Sequence, residues 1–382
     1  MRRLIAITSE NSVFREHRRI INMIRSGEYE YVHIRKPFFS KNQMREYLSV
    51  FPMDIREKLS LHSFQELATE LSIGGVHLNK NLTTLPDSLK DKRISASCHS
   101  IEEFKQKEKI CKYCFISPVF DSISKQGYTS KFTLNSLKTL FNEGVLNSKC
   151  VALGGITKEN IPNLENVGFT SFAMLSSAWT LPKTMFITHQ NENYSYMDSA
   201  FLSIENGIKF VQLRMKETKD ENVVCLAEEL RPICDKNNVL LTVDDRINLL
   251  STGLFDGVHV GKNDMPLQEA KLITKEDYLL GATCNTVLDV QLAIGGKADY
   301  IGMGPYRFTT TKKNLAEILG LEGYKNVIEK IKPTIPLYAI GGIRLEDLML
   351  LKQIGVYGAA LSSIVLESNE PKRTIKEIIK IF

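Results

Sequence analysis

The chain has 382 residues, of which 43% are hydrophobic and 24% are charged, and its net charge is +5. This composition is typical of a soluble globular protein with two or three domains, and so small a net charge gives no reason to expect a nucleic acid partner. No apolar run approaches the ~18 residues of a membrane span, so no membrane association is expected either.

The first predicted element is a strand, and the series of elements that begins with it occurs twice in the sequence. The apolar run LIAIT, Leu4–Thr8, is too short for a signal-peptide core and predicts a β-strand. It returns as MFIT, and six further segments return in the same order: YVHIRKP as FVQLRMK, GGVHLNKN as DGVHVGKND, ISASCHS as LGATCNT, CFISPVFDSISK as YIGMGPYRFTTTKK, CVALGGI as LYAIGGI, and FAMLSSAW as AALSSIVL. This order predicts a tandem duplication with a join near residues 177–183, and hence domains 1–180 and 181–382.

Within each copy, short apolar or β-branched runs alternate with helical stretches. One such stretch places on a single helical face Val223, Val224, Leu226, Ala227 and Leu230. The predicted strands of the second copy are 185–188, 208–214, 239–243, 257–260, 279–282, 299–303, 336–340 and 357–361. This alternation predicts an α/β fold of two tandem (β/α)8 TIM barrels, in which catalytic residues follow the strands and the last loops usually bind phosphate.

Polar side chains follow the second, third and fourth predicted strands of the second copy. Gln212, Arg214 and Lys216 alternate along one face of an extended segment, which suits a polyanion, although a solvated edge would have the same pattern. Asp245 and Asp264 follow the next two strands, and two carboxylates opposite a basic cluster can hold Mg²⁺ against a pyrophosphate. The alternative is that Asp245 caps a helix and Asp264 begins a turn.

The last three strands are followed by residues suited to a phosphate group. Hydroxyls and an ammonium group follow strand six, a glycine pair follows strand seven, and two serines follow strand eight: Thr309, Thr311, Lys312, Gly341, Gly342, Ser362 and Ser363. Glycines without side chains let backbone N–H groups approach a phosphate. The second copy is therefore predicted to hold a magnesium pyrophosphate and a separate monophosphate.

These motifs together resemble the thiamine phosphate synthase family over nearly all of residues 184–382. The resemblance implies a TIM barrel that joins hydroxymethylpyrimidine pyrophosphate to a thiazole phosphate and releases pyrophosphate. The reaction would pass through a pyrimidine cation that the thiazole nitrogen captures. It also implies Mg²⁺ as cofactor and small phosphorylated molecules as partners.

The resemblance assigns a role to each matching residue of the second copy. Binding of the pyrimidine pyrophosphate would fall to Gln212, Arg214, Lys216 and Lys312, of which the three cations would be catalytic. Asp245 and Asp264 would bind the metal, and Thr283 would offer a hydroxyl to the substrate. The thiazole phosphate would be held by Thr309, Thr311, the pair Gly341 and Gly342, Ser362 and Ser363. Asp244 replaces the usual Asn in the pyrimidine site, and its charge should weaken pyrophosphate binding unless Arg246 or the metal offsets it.

The first copy resembles the thiazole tautomerase-like relatives of the synthase. It keeps many anion-binding positions, namely Arg35, Lys36, Ser122, Ser124, Lys125, Gly154, Gly155, Ser176 and Ser177. It lacks the metal carboxylates, because Leu61–Phe64 replaces VDDR and Leu82 replaces Asp264. Four histidines near strand ends could move a proton, namely His33, His62, His77 and His99. Pro118, however, stands where the tautomerase has its catalytic histidine, so a silent partner barrel remains an alternative.

Two other functions fit the same sequence. One is an isomerase that acts on a phosphorylated heterocycle without pyrophosphate, and the other is a non-catalytic sensor of thiamine phosphates. The seven cysteines are an odd number in a long chain, which predicts free thiols, a cytoplasmic location, and packing roles for Cys111 and Cys114. A homo-oligomer, or a contact between the two barrels of one chain, is compatible with the sequence.

Overall fold

The computed structural model describes residues 2–11, 13–78, 86–120, 132–309 and 316–382. These residues form two compact units, Met1–Thr180 and Leu181–Phe382. Nine of the sixteen described strands are buried along their whole length and no strand residue is exposed, as expected for parallel strands covered by helices outside and by side chains inside. No helix in these described ranges combines the length and apolar character needed to cross a membrane.

The first unit is a closed parallel barrel whose strands pair in chain order, with β1 also pairing with β8. The strands are β1 Arg3–Ile7, β2 Tyr31–Ile34, β3 Leu59–Leu61, β4 Gly75–Leu78, β5 Arg93–Cys98, β6 Tyr113–Ile116, β7 Cys150–Ala152 and β8 Ser171–Met174. The described helices around them are α1 Glu16–Arg25, α2 Lys41–Ser49, α3 Met53–Arg56, α4 Leu67–Glu70, α5 Ile101–Lys107, α6 Leu134–Asn142 and α7 Ile161–Glu165.

The second unit repeats this architecture and closes by pairing its last strand with its first. Its strands are β9 Thr184–Ile187, β10 Phe210–Leu213, β11 Leu240–Asp244, β12 Gly257–Val260, β13 Leu279–Cys284, β14 Tyr300–Met303, β15 Leu337–Ile340 and β16 Gly358–Leu361. Its described helices are α8 Tyr196–Glu205, α9 Asp220–Lys236, α10 Leu267–Thr274, α11 Val287–Gly295, α12 Gly320–Ile331, α13 Leu345–Gln353, α14 Ser363–Leu366 and α15 Pro371–Ile381. The predicted α/β fold with two tandem TIM barrels is confirmed.

The helices are fixed by local sequence and by burial of one face. Ser195 and Thr286 cap α8 and α11, where each hydroxyl accepts a hydrogen bond from a backbone N–H of the first turn. On the predicted face of α9, Val223, Ala227 and Leu230 are fully buried, whereas Val224 and Leu226 are only partly buried. All seven cysteines have free thiols, and Cys111 and Cys114 are buried as predicted.

Glycines on the strands of the second barrel make room for large side chains inside it. A Cβ atom on Gly281 would lie 2.2 Å from the Tyr300 ring and 2.5 Å from His259 Nδ1. Tyr300 is completely buried, so its ring has no free space into which it can move. The absence of a side chain at Gly281 is therefore a packing requirement of this barrel.

We expect Gly281→Ala to destabilise the second unit by about 2 kcal/mol or more, through overpacking of the barrel interior. The transition of that unit should fall by about 4–8 °C in thermal unfolding of the full chain. Gly295→Ala is the matched control, because a Cβ there meets nothing within 4 Å and the melting temperature should hold or rise slightly. Equal losses in both variants would contradict this view of the interior.

Candidate active site

A cavity of about 310 Å³ opens at the carboxyl ends of the strands in the second unit. It brings together all the predicted site residues of that copy that the structure describes. They are Gln212, Arg214, Lys216, Asp244, Asp245, Asp264, Thr283, Thr309, Gly341, Gly342, Ser362 and Ser363. Thr311 and Lys312 lie in 310–315, outside the described residues.

Asp244 is the centre of a polar cluster on one side of this cavity. Its carboxylate accepts a 2.6 Å hydrogen bond from Gln212 Nε2 and lies 3.4 Å from Arg214 Nε and 3.2 Å from Lys216 Nζ. Burial, together with the charge of Asp245, raises the pKa of Asp244 to about 6. The negative charge is thus balanced by the same cations that were predicted to bind pyrophosphate.

Arg246 is one of the two groups that could have offset this charge, and it bonds elsewhere. Its guanidinium turns outward, where Nε lies 2.8 Å from Asp220 Oδ1 and Nη2 donates to the carbonyl groups of Met215 and Thr218. Residues two places apart on a strand face the same way, but β11 ends at Asp244. Arg246 lies beyond that end, so its side chain need not share the environment of Asp244. Arg246 instead ties the loop after β10 to the loop after β11.

Asp245 and Asp264 form a carboxylate pair beside this cluster. They are hydrogen-bonded to one another, and Asp245 also contacts Lys216 Nζ. Burial and the neighbouring Asp245 raise the pKa of Asp264. Burial opposes the shift at Asp245, but hydrogen bonds from Asp264 and Lys216 hold its pKa below the usual value. The two carboxyl groups are therefore coupled, and Asp264 binds a proton more readily than Asp245 does.

Local backbone geometry brings the two carboxylates together. Asp245 has a left-handed backbone with φ of 64°, and Asp264 Oδ2 accepts a 2.8 Å hydrogen bond from the N–H of Gly261. A Cβ on Gly261 would lie 2.5 Å from Asp264 Oδ2 and 3.7 Å from Asp245 Oδ1. The alternative of a helix cap is wrong for Asp245, because Arg246 holds the N-cap position of the following 3₁₀ helix, Ile247–Thr252. Asp264 ends a turn and does not begin one, because its N–H donates a 3.3 Å hydrogen bond to Gly261 O.

Backbone and hydroxyl donors line another part of the cavity. Gly341 and Gly342 have φ angles of 90° and 64°, which few other residues adopt, and a Cβ on Gly342 would lie 2.6 Å from Phe308 O. Ser362 Oγ is buried and, among the described residues, has no hydrogen-bond partner. This arrangement can accept an anion at the ends of β15 and β16 without displacing existing hydrogen bonds.

Some cavity residues were not predicted from the sequence. Thr188 and His189 follow β9 and line the cavity, and Thr188 Oγ1 accepts a 2.9 Å hydrogen bond from the N–H of Arg214. His259 also lines the cavity, and its Nε2 lies 3.0 Å from Thr283 Oγ1. The sequence could have indicated Thr188 and His189, because polar residues directly after the first strand of a barrel should lie near those that follow the second.

Strand register relates the first barrel to the second residue by residue. Gln212 pairs with Thr242 and Asp244 with His259, whereas His33 pairs with Ser60 and His77 with Ser95. Three histidines, His33, His62 and His77, consequently occupy the positions of Gln212, Asp244 and His259. Burial, with nearby positive groups, lowers the pKa of His33 and His62 well below the usual value and that of His77 to about 3.

The prediction that Lys36 keeps an anion-binding role is wrong. Its side chain is buried, with Nζ 2.8 Å from Glu16 Oε1 and 2.9 Å from the carbonyl oxygens of Ser9 and Asn11. The cause is register, because Lys36 aligns with Met215 and faces away from the barrel mouth, while Pro37 takes the place of Lys216. Arg35 is paired with Glu10.

The glycine pair is retained in the first barrel, where Gly154 and Gly155 have φ angles of 99° and 63°. Ser177 Oγ, by contrast, donates a 2.6 Å hydrogen bond to Ile156 O. The predicted residues Leu82, Ser122, Ser124 and Lys125 lie outside the described residues. The first barrel thus keeps the glycine pair but has imidazoles at the positions of Gln212 and Asp244.

Fold and cavity together define the second unit as a TIM barrel whose mouth is lined by cationic side chains, a glycine pair and a carboxylate pair. A sequence profile of the thiamine monophosphate synthase family matches residues 4–178 and again 184–365. The chain belongs to this family and carries two copies of its barrel.

Individual relatives agree with this assignment. Thiamine-phosphate synthase of Bacteroides fragilis is 46% identical over 199 residues, covering 51% of this chain and 98% of the relative. The enzyme of the same name from Bacteroides thetaiotaomicron is 42% identical over 199 residues, covering 51% of this chain and 95% of the relative. Among solved structures, thiamine phosphate pyrophosphorylase from Pyrococcus furiosus is 28% identical with a TM-score of 0.46, covering 52% of this chain and 95% of that one.

Proposed function

We propose that the second unit is a thiamine phosphate synthase, which joins hydroxymethylpyrimidine pyrophosphate to a thiazole phosphate and releases pyrophosphate. The observation that carries the proposal is a single cavity that holds both a cation and carboxylate cluster and a glycine and serine cup. Two phosphorylated substrates need two such regions side by side. The 46% identity to a thiamine-phosphate synthase supports the same reaction.

Asp245 and Asp264 are proposed to bind Mg²⁺. The fit rests on their chemistry, because two adjacent carboxylates offer hard oxygen ligands whose mutual repulsion a divalent cation would relieve. When bound, the ion would supply charge stabilisation to the departing pyrophosphate. Gly261 keeps the space beside both carboxylates open.

The remaining side chains position the two substrates. Arg214 offers a planar fork of donors to pyrophosphate oxygens, and Lys216 adds a second positive charge that leaves the carboxylates when the substrate arrives. Lys312 is proposed as a third cation on the strength of the family resemblance. The thiazole phosphate is proposed to bind the N–H groups of Gly341 or Gly342 with hydroxyls of Ser362, Ser363, Thr309 and Thr311. Bonding then depends on holding the thiazole nitrogen against the pyrimidine carbon.

The test is formation of thiamine phosphate by the purified full chain, followed by fluorescence after oxidation. Product should require the pyrimidine pyrophosphate, the thiazole phosphate and Mg²⁺ together. Turnover of a phosphorylated thiazole without metal or pyrimidine would favour the isomerase alternative. Binding of thiamine phosphate by a folded protein without turnover under any divalent metal would favour the sensor.

Asp244→Asn provides a separate prediction about the unusual charge in the pyrimidine site. We expect the KM for the pyrimidine pyrophosphate to fall about fivefold, because removing a like charge near the pyrophosphate is worth about 1 kcal/mol. An asparagine carbonyl can still accept the Gln212 hydrogen bond. Asp277→Asn, at an exposed position before β13, is the charge-matched control. A rise in KM would show instead that the Asp244 charge is needed to position Arg214 and Lys216.

The first unit is proposed to be a thiazole tautomerase-like barrel that binds a monophosphate and makes no thiamine phosphate. Loss of the carboxylates at the positions of Asp244 and Asp245 supports this view, as does the retained pair Gly154 and Gly155. Calorimetry should detect a thiazole phosphate site that survives Gly342→Asp in the second barrel and is lost with Gly155→Asp. A single site, abolished by Gly342→Asp, would make the first barrel a silent partner.

The cellular setting is proposed to be the cytoplasm, because all seven cysteines are free thiols and such thiols are stable in a reducing compartment. Small phosphorylated molecules are the proposed partners.

A further inference from the structure

We infer that the first unit binds a borderline divalent metal ion of the Zn²⁺ class on His33, His62 and His77. One ligand nitrogen from each residue lies within 4.8 Å of the others. His33 and His77 are buried, and His62 is partly exposed. The site therefore lies inside the barrel and opens to solvent through one imidazole, as a metal site with an entry path requires.

The hydrogen bonds assign a ligand atom on His77. In the tautomer that satisfies both contacts of Ser95, its Oγ donates its only proton to Val76 O at 3.2 Å and accepts the 3.0 Å hydrogen bond from His77 Nδ1. His77 Nδ1 thus carries the proton, and the lone pair lies on Nε2. Ser97 Oγ, 3.1 Å from Nε2, can turn aside when a metal ion arrives.

The other two imidazoles are hydrogen-bonded to one another, and the His62 ring is stacked on that of His77 with centroids 4.2 Å apart and 11° between the ring planes. The His62 ring would therefore turn before all three lone pairs could point at one ion. His33 Nδ1 and His62 Nε2 lie 2.9 Å apart, and His33 Nε2 lies 2.7 Å from the Tyr113 hydroxyl. Metal binding would move the proton shared by His33 and His62 to an outer ring nitrogen, so that each neutral imidazole keeps one proton and His33 carries its own on Nε2, donating to Tyr113. Hydrogen bonds to the outer nitrogens of His33 and His77 would then orient the ligands, as second-shell partners usually do.

The ligand chemistry selects the class of ion. Three neutral nitrogens suit Zn²⁺, Co²⁺ or Cu²⁺ and offer nothing to Mg²⁺, which requires oxygen. The nearby cations are Arg35, Arg93 and Lys107, so a fourth ligand with negative charge, such as hydroxide, is favoured over neutral water. Because the equivalent residues of the second barrel are Gln212, Asp244 and His259, this site would be specific to the first barrel.

Titration of the full chain with Co²⁺ tests the inference and needs no turnover, so it is independent of the proposed synthase reaction. Excess Mg²⁺ would keep the carboxylate pair of the second unit occupied. We expect one tight equivalent with the visible absorption of a tetrahedral nitrogen site. Outer-shell changes alone cost about 10- to 100-fold in metal affinity, so His62→Ala should weaken binding by at least about 100-fold.

Controls separate this site from other ligands and from misfolding. His99→Ala should bind Co²⁺ like the wild type, because His99 lies in the same barrel and its Nδ1 bonds to Ser117 O instead. If His62→Ala fails to fold, His77→Gln replaces it, with circular dichroism as the check on folding. Absence of a tight equivalent, unchanged affinity in the folded ligand variant, or near-ultraviolet absorption from cobalt bound to thiolate would each overturn the inference.

Discussion

Asp264→Asn is expected to lower kcat/KM for thiamine phosphate formation by about 10³-fold, through loss of charge stabilisation worth several kcal/mol. The asparagine removes one of the two hard ligands while keeping nearly the same volume. Its amide carries no negative charge, so the ion would be held by one carboxylate instead of two. The measurement is steady-state turnover over a range of Mg²⁺ concentrations.

The control for Asp264 is Asp277→Asn, which removes the same charge from an exposed position of the same barrel. It should retain wild-type turnover. If Asp264→Asn kept turnover within a few-fold of the wild type at every Mg²⁺ concentration, the carboxylate pair could not be the metal site. High Mg²⁺ should restore only part of the activity, because one ligand remains.

Arg214→Met is expected to reduce kcat/KM by about 10²-fold, the usual effect of removing one donor from developing negative charge. Arg214 is held beside Asp244 and its side chain is 20% exposed, so the guanidinium is positioned before the substrate arrives. Lysine at this position should recover little, since it replaces a planar fork with a point charge. Both kcat and kcat/KM should be measured with the pyrimidine substrate varied.

Arg373→Met is the matched control, because that arginine is 69% exposed on α15 and bonds only to Glu370 and Glu377 among the described residues. Its turnover should equal that of the wild type. A loss confined to KM in Arg214→Met, with kcat unchanged, would assign Arg214 to ground-state binding alone. Full activity would remove it from the site.

The barrel fold was predictable because its physical signal is repeated. The parallel strands are short, mostly apolar runs of three to six residues that must be buried on both faces, as in Phe210–Leu213 and Leu279–Cys284. The duplication supplied every strand a second time at nearly the same spacing. Polar residues at the carboxyl ends of the strands therefore had to lie at the same end of the barrel, whatever the conformation of the loops.

The pairings within the site were less predictable, because they depend on side-chain direction and on the ends of strands. Arg246 follows Asp244 by two places, yet it bonds to Asp220, since the chain leaves the strand between them. Lys36 resembles Lys216 in a simple comparison, but one place of register sends it into a buried ion pair with Glu16. His33, His62 and His77 come together only when their three strands pair in the barrel, and this pairing cannot be predicted from the local sequence around each residue.

The most direct measurement of the central proposal is ³¹P NMR of one reaction with the full chain, both substrates and Mg²⁺. We expect the pyrimidine pyrophosphate signals to be replaced by free pyrophosphate and thiamine phosphate in equal amounts, and the reaction with Asp264→Asn to stay almost unchanged over the same time. Unaltered substrate signals with the folded wild type, or phosphate release without thiamine phosphate, would contradict the assignment of the second unit as a thiamine phosphate synthase.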